Sequence, residues 1–153
     1  AQINAWGDLN TTVIGPHARP KVRLPGSGGG NDVGSLCWRT IILMKHERKR
    51  FVPKVDFLTT PGYLDGPGAR ERAGLPPGTG PHRVVTDLAV FDFEPSTKRM
   101  RLIALNPGIS VERVVNETGF TFPVAARVAR NADPSPRELD TLRRRIDPER
   151  VFL

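Results

Sequence analysis

A chain of 153 residues suffices for one domain with its own core, and 38% apolar with 25% charged residues is the balance of a globular protein. No apolar run approaches the ~18 residues that a membrane-spanning helix needs. A formal charge of +7 points to anionic partners, nucleic acid or a phosphate-bearing cofactor, and the lone Cys37 rules out an internal disulfide.

The chain opens Ala1-Gln2-Ile3-Asn4 with no basic-then-apolar leader, and this beginning reads as the interior of a longer sequence. Residues 2–5 and 10–14 flank Trp6-Gly7-Asp8-Leu9, which predicts a hairpin with Gly-Asp at its turn. Pro16 to Pro20 breaks the pattern, and Lys21-Val22-Arg23-Leu24 alternates as a strand does. Leu24-Pro25-Gly26-Ser27-Gly28-Gly29-Gly30-Asn31-Asp32 then holds four glycines, three of them consecutive. Glycine allows positive φ and brings backbone N–H groups close to a bound group. With Asn31 or Asp32 capping a short helix through Arg39, the loop amides would converge on one spot, suited to a phosphate or an oxyanion. A flexible connector is the competing reading. No Gly-Lys-Ser/Thr follows, so the loop is not a P-loop, and Asn31 stands where a dinucleotide fingerprint needs glycine.

Beyond the loop, Cys37 lies between Leu36 and Trp38 and reads as a small buried hydrophobe; one thiol fits a reducing cytoplasm. Residues 40–45 form a β-branched apolar run, expected to be a buried strand, and residues 52–58 suggest another. Residues 61–81 are dense in Gly and Pro, a surface excursion with one short helix near residues 69–73. Residues 83–93 read as one strand, Glu94 to Lys98 as a turn, and residues 99–105 as the antiparallel return. Ser110 is placed to cap a helix over residues 111–118, closed by Gly119 in the left-handed conformation. Ser135, Pro136 and Glu138 sign the start of a last helix, with Leu139, Leu142 and Ile146 as its buried stripe and Asp147-Pro148 as its stop. The order of elements predicts an α/β fold with an open mixed sheet, short helices and an antiparallel hairpin.

His17, His46 and His82 have no metal-ligand spacing, and no metal is expected. Basic residues cluster at Lys45 to Arg50, Lys98 to Arg101 and Arg143 to Arg145, none interleaved with aromatics as single-strand nucleic-acid binding requires. Each reads as a solvated basic face.

Asp8-Leu9-Asn10-Thr11-Thr12-Val13-Ile14-Gly15, the loop from Leu24 to Asp32, Val85-Thr86-Asp87-Leu88-Ala89-Val90-Phe91, Leu105-Asn106-Pro107-Gly108-Ile109-Ser110 and Thr118-Gly119-Phe120 follow in this order. The succession resembles the β subunit of the class I CoA-transferases, of the glutaconate CoA-transferase kind, over residues 1–122. The resemblance implies an open α/β sheet of the CoA-transferase-like type, and residues 1–153 as one β-type domain lacking its N-terminal part, with residues 132–153 as a C-terminal helix and tail. It implies an enzyme moving CoA from a thioester to a free carboxylate through a glutamyl-CoA intermediate. CoA is then a substrate, with no permanently bound cofactor. The implied partners are an α subunit and the missing N-terminal piece, in a cytoplasmic hetero-oligomer.

The family's nucleophilic glutamate sits in a Ser-Glu-like motif upstream of the matching region, so no catalytic nucleophile is carried over. Glu47, Glu71, Glu112, Glu117 and Glu138 read as surface charges or caps. By resemblance Gly28, Gly29, Gly30 and Asn31 form the oxyanion loop. Ser27 joins them as a CoA contact; Lys54 and Arg23 are candidates for its phosphates and Pro61-Gly62-Tyr63-Leu64 for a cover over the pantetheine arm, with a structural role as the competing reading for each and helix capping for Asn31. A thioester or ring-opening hydrolase on the same architecture is the alternative, and a basic nucleic-acid-binding module a distant one.

Overall fold

The computed structural model describes residues 1–151. Short polar side chains set its opening turns. β1 (Gln2–Ile3) pairs antiparallel with β2 (Leu9–Asn10). Between them Asn4 Oδ1 accepts the N–H groups of Trp6 and Asp8 at 3.0 and 3.1 Å, and Asn4 Nδ2 donates to Asp8 Oδ2 at 2.8 Å. The predicted hairpin exists, but its return arm stops at Asn10. There Asn10 Oδ1 accepts from the N–H groups of Thr12 and Val13, an Asx turn that redirects the chain. β3 (Val13–Ile14) therefore pairs with β4 (Val22–Arg23).

Helix α1 (Gly30–Leu36) leads from the glycine loop into β5 (Arg39–Leu43). β5 is not the buried strand that its composition suggests. It is an edge strand with Ile41 60% and Leu43 77% exposed, and Cys37 just before it is exposed too. Residues 52–58 form no strand; Phe51 makes one parallel bridge to Ile3, and Asp56 is engaged by Gln2 and by the Gly15 N–H. The excursion carries α2 (Ala69–Arg72), as expected.

The segment read as one strand over residues 83–93 is two: β6 (Gly80–Val85) and β7 (Ala89–Phe93), antiparallel to each other. Thr86 is the cause. Its Oγ1 accepts the N–H groups of Leu88 and Ala89 at 3.1 and 2.9 Å and so reverses the chain within a β-favouring sequence. β7 returns antiparallel as β8 (Met100–Leu105), as predicted. α3 (Val111–Asn116) is capped by Ser110, whose hydroxyl oxygen accepts from the Arg113 N–H at 3.2 Å. Gly119 does not adopt the left-handed conformation. Its N–H donates to the Phe51 carbonyl at 2.7 Å, and a Cβ there would collide with that oxygen. Close approach of two backbones, not a positive φ, requires glycine here.

β9 (Val124–Arg130) was hidden by its alanines and arginines, which break period-two alternation. It pairs parallel with β8 and completes an open mixed sheet in the order β5-β6-β7-β8-β9. Phe91, Met100, Leu102, Val84, Ile3, Phe51 and Val114 are fully buried and form the core. Each such side chain contributes roughly 1.5–3 kcal/mol. The last helix, α4 (Pro136–Thr141), has the predicted capping box of Ser135 and Glu138 and runs into a π-helical turn, Leu142–Ile146. Its apolar stripe is not buried: Leu139 and Leu142 are half-buried and Ile146 is 70% exposed. Phe152 and Leu153 of the tail lie outside the described residues. Among the described residues no helix is long and apolar enough to cross a membrane.

Candidate active site

The glycine loop is fastened at both ends and free at its tip. At its start Thr11 Oγ1 donates to the Gly26 carbonyl and the Gly26 N–H donates to the Thr11 carbonyl, both at 2.7 Å. Gly26 and Gly28 take positive φ of 92° and 48°, which lets the chain bend twice within a few residues. The Gly30 N–H closes a turn onto the Ser27 carbonyl at 2.8 Å, and the Val33 N–H reaches the Gly29 carbonyl. Among the described residues nothing accepts the N–H groups of Gly28 and Gly29, and open space surrounds both.

Helix α1 begins two residues earlier than a cap at Asn31 implies, with Gly29 at the cap position and no side-chain cap, and it ends at Leu36, short of Arg39. Asn31 instead donates from Nδ2 to the Thr59 carbonyl at 2.8 Å, tying the first turn of the helix to segment 59–60. Thr59 Oγ1 in turn accepts from the Thr11 N–H and shares a 2.7 Å hydrogen bond with Thr12 Oγ1. Gly34 lies so close to Thr60 that a Cβ would collide with its methyl group.

These elements border a cleft of about 510 Å³. Its polar end is formed by Thr11, Ser27, Gly30 and Thr60, and its apolar wall by Val33 and the β5 residues Ile41 to Leu43. Of the residues assigned from sequence, Ser27 and Gly30 line the cleft. Gly28 and Gly29, between them in the chain, are exposed and are not among the lining residues, nor is Asn31, whose Nδ2 donates to the Thr59 carbonyl. Lys54 and Arg23 are exposed. Pro61 lines the cleft, whereas Tyr63 packs edge-on against Phe93 with its ring centroid 5.2 Å away.

Two buried charges that sequence reading missed hold this arrangement. Arg70 of α2 is only 2% exposed and donates to the carbonyls of Pro61, Gly62, Gly34 and Ser35 and to Thr79 Oγ1, at 2.8–3.2 Å. Burial pulls its guanidinium below the ordinary arginine range. Asp8 Oδ1 accepts the N–H groups of Gly62 and Leu64 at 2.7 and 3.1 Å; burial raises its carboxyl, against the lowering pull of those hydrogen bonds and of Arg70. The separation of Asp8 from Gly62 carries no local signal, and Arg70 reads as a surface helix residue until the fold closes over it.

His46 is stacked on Phe51 at 3.9 Å, with Nδ1 3.2 Å from Thr86 Oγ1 and Nε2 3.0 Å from Thr118 Oγ1. Burial lowers it to about 4. It ties the segment after β5 to Thr118, just beyond α3, and does not line the cleft. The described residues hold no group of His, Cys, Asp or Glu able to ligate a metal. The basic clusters are largely used locally. Glu47 pairs with Lys49 and Arg50, Asp92 takes Arg101 in a two-pronged bond, and Arg144 pairs with Asp140.

A family model described as coenzyme A transferase matches residues 1–117. The B subunit of glutaconate CoA-transferase from Acidaminococcus fermentans is 45% identical over 153 residues, 100% of this chain and 57% of that protein. The B subunit of 3-oxoadipate CoA-transferase from Pseudomonas knackmussii is 37% identical over 143 residues, 94% of this chain and 55% of that protein. The crystal structure of glutaconate coenzyme A-transferase from A. fermentans matches with a TM-score of 0.93 at 43% identity, covering 99% of this chain and 58% of that one. The chain thus spans little more than half the length of these relatives. By its sequence, its open mixed sheet and the glycine loop at its cleft, the chain belongs to the coenzyme A transferase family.

Proposed function

We propose that this chain supplies the oxyanion-binding side of a CoA-transferase active site whose nucleophilic glutamate lies outside it. One observation carries the reading: Ser27 and Gly30 line an apolar cleft, and the N–H groups of Gly28 and Gly29, between them in the chain, have no acceptor among the described residues. When a glutamate carboxylate attacks the thioester carbonyl, negative charge collects on the carbonyl oxygen. Backbone amides of the loop turned to that oxygen stabilise the charge by several kcal/mol. Collapse expels CoA thiolate and leaves an acyl-glutamyl anhydride. The thiolate then attacks the glutamyl carbonyl, the acyl carboxylate departs, and a glutamyl-CoA thioester remains. An acceptor carboxylate runs the sequence backwards.

In this reading Ser27, Gly28, Gly29, Gly30 and Asn31 bind the thioester end of CoA. The exposed Lys54 and Arg23 take its phosphates as charged contacts. CoA enters as a substrate, with no resident cofactor. The enzyme is a cytoplasmic hetero-oligomer with an α-type subunit, and this chain alone does not turn over.

The test combines the chain with the A. fermentans transferase, made without the portion of its B subunit that this chain matches. The mixture is incubated with a short-chain acyl-CoA, and a glutamyl-CoA adduct is sought by intact mass. Adduct formation and transfer to an added carboxylic acid support the reading. CoA release at an undiminished rate without any acid assigns the site to a hydrolase, and absence of adduct, transfer and release overturns the proposal.

A further inference from the structure

The hydrogen bonds that hold the two ends of the glycine loop meet on Thr59. Thr59 is 5% exposed, and its N–H donates to the Leu9 carbonyl at 2.9 Å, which fixes it to β2. β2 is in turn paired with β1, whose Ile3 is fully buried in the core. From this fixed point the side chain reaches the start of the loop. Thr59 Oγ1 accepts the Thr11 N–H at 2.9 Å, and Thr11 holds Gly26 through its own hydroxyl and carbonyl. The main chain of the same residue reaches the other end, where its carbonyl accepts from Asn31 Nδ2 at 2.8 Å. Gly28 and Gly29 lie between these anchors with open space around both. Their N–H groups are therefore oriented by the ends of the loop and by the turn that Gly30 closes on Ser27.

A donor stabilises an oxyanion only where it points at the position that the oxygen will occupy, and a displacement of ~1 Å can cost on the order of a hundredfold in rate. An unanchored run of glycines does not hold such a position, because glycine has the widest choice of backbone conformations. We propose that Thr59 is a positioning residue of the transferase: it sets the span between Gly26 and Asn31 and so aims the Gly28 and Gly29 amides. Thr59 does not line the cleft, so it acts through the loop and not on the substrate. Thr12 shares a 2.7 Å hydrogen bond with Thr59 Oγ1, but among the described residues its hydroxyl makes no bond to the loop, and it is not part of the device. The assignment rests on the oxyanion reading of the glycine loop.

The test is made on the reconstituted transferase and, without CoA, on this chain. Thr59→Val keeps the shape and the carbonyl of the residue but leaves the Thr11 N–H without its acceptor. Its kcat should fall by about tenfold or more while KM for the acyl-CoA stays within about twofold, because the amides act on the transition state. Thr59→Ser keeps the hydroxyl and should recover most of that loss. Thr12→Val should stay within about threefold of wild type. In this chain alone, amide hydrogen exchange at Gly26 and Gly30, both hydrogen-bonded, should quicken in Thr59→Val and not in Thr12→Val. Unchanged exchange at Gly26 and Gly30 in Thr59→Val, or an equal loss of kcat in Thr12→Val, overturns the proposal. So does a wild-type kcat in Thr59→Val, and Gly29→Pro then tells which claim has failed. If Gly29→Pro loses its rate, Thr59 does not position the loop; if it too keeps its rate, the oxyanion reading itself is wrong.

Discussion

Arg70 Nη2 donates to the carbonyl oxygen of Gly34 at 3.0 Å, so a guanidinium from the Gly/Pro-rich excursion holds the helix that follows the glycine loop. The same group holds the carbonyls of Pro61 and Gly62, which Asp8 secures from the other side through the Gly62 N–H. The cleft wall is thus positioned by charge buried behind it.

Replacing Arg70 removes donors from four carbonyls and one hydroxyl at once. Arg70→Met keeps much of the buried volume but leaves those acceptors bare, and each buried acceptor left alone costs ~1–3 kcal/mol. Arg70→Met should therefore lower unfolding free energy by about 3 kcal/mol or more. Arg70→Lys should recover only part of this, because an ammonium cannot span both Gly34 and Gly62. Urea denaturation of the three proteins measures the order.

In the glycine loop, stability and activity should separate. Gly29 has φ of −83°, open space around it, and no acceptor for its N–H among the described residues. Gly29→Pro deletes that N–H with no hydrogen bond lost, so the unfolding free energy should move by less than about 1 kcal/mol. If the amide stabilises an oxyanion, kcat of the reconstituted transferase should fall ~10²–10³-fold. A rate within about threefold of wild type would remove Gly29 from the oxyanion site.

The parts legible in the sequence were those fixed by local chemistry. The β7–β8 hairpin, the Ser110 cap and the Ser135–Glu138 capping box all depend on residues a few positions apart. What failed depended on distant partners. Asn31 has the right chemistry for a cap, but the turn closed by Gly30 on Ser27 starts the helix before it, and its Nδ2 donates instead to the Thr59 carbonyl, 28 residues away. β5 reads as buried because its composition is that of a strand covered on both faces, while this chain covers only one. Thr86 was invisible as a turn because β-branched residues favour strands, and only its hydroxyl's contact with Leu88 and Ala89 reveals the reversal.

Gly119 gives a test of backbone contact as distinct from backbone conformation. Gly119→Ala places a methyl group against the Phe51 carbonyl, and Phe51 is itself held in the core by the bridge to Ile3. The expected loss is ~1–3 kcal/mol. Gly74 has φ of +80° and open space, so Gly74→Ala tests conformation alone. It should cost only ~1 kcal/mol. The Gly119 variant should also weaken the 2.7 Å bond between its own N–H and Phe51, seen as faster exchange of that amide.

The last prediction concerns acid. His46 is 4% exposed, stacked on Phe51 and bridged between Thr86 and Thr118, and burial lowers it from 6.5 to about 4. Folded protein therefore keeps this ring neutral through a range in which the unfolded chain protonates it. Between pH 6.5 and about 4 the unfolded state binds the extra proton, so unfolding free energy falls as pH drops through that window. Below about 4 both states are protonated and the loss is complete. A shift of this size corresponds to ~3 kcal/mol. Urea titrations at closely spaced pH values should show the slope, and a nuclear magnetic resonance titration of the ring in native protein should place its midpoint well under the ordinary 6.5. A native midpoint near 6.5 would mean that solvent reaches His46 and that the Thr86–Thr118 bridge does not hold it.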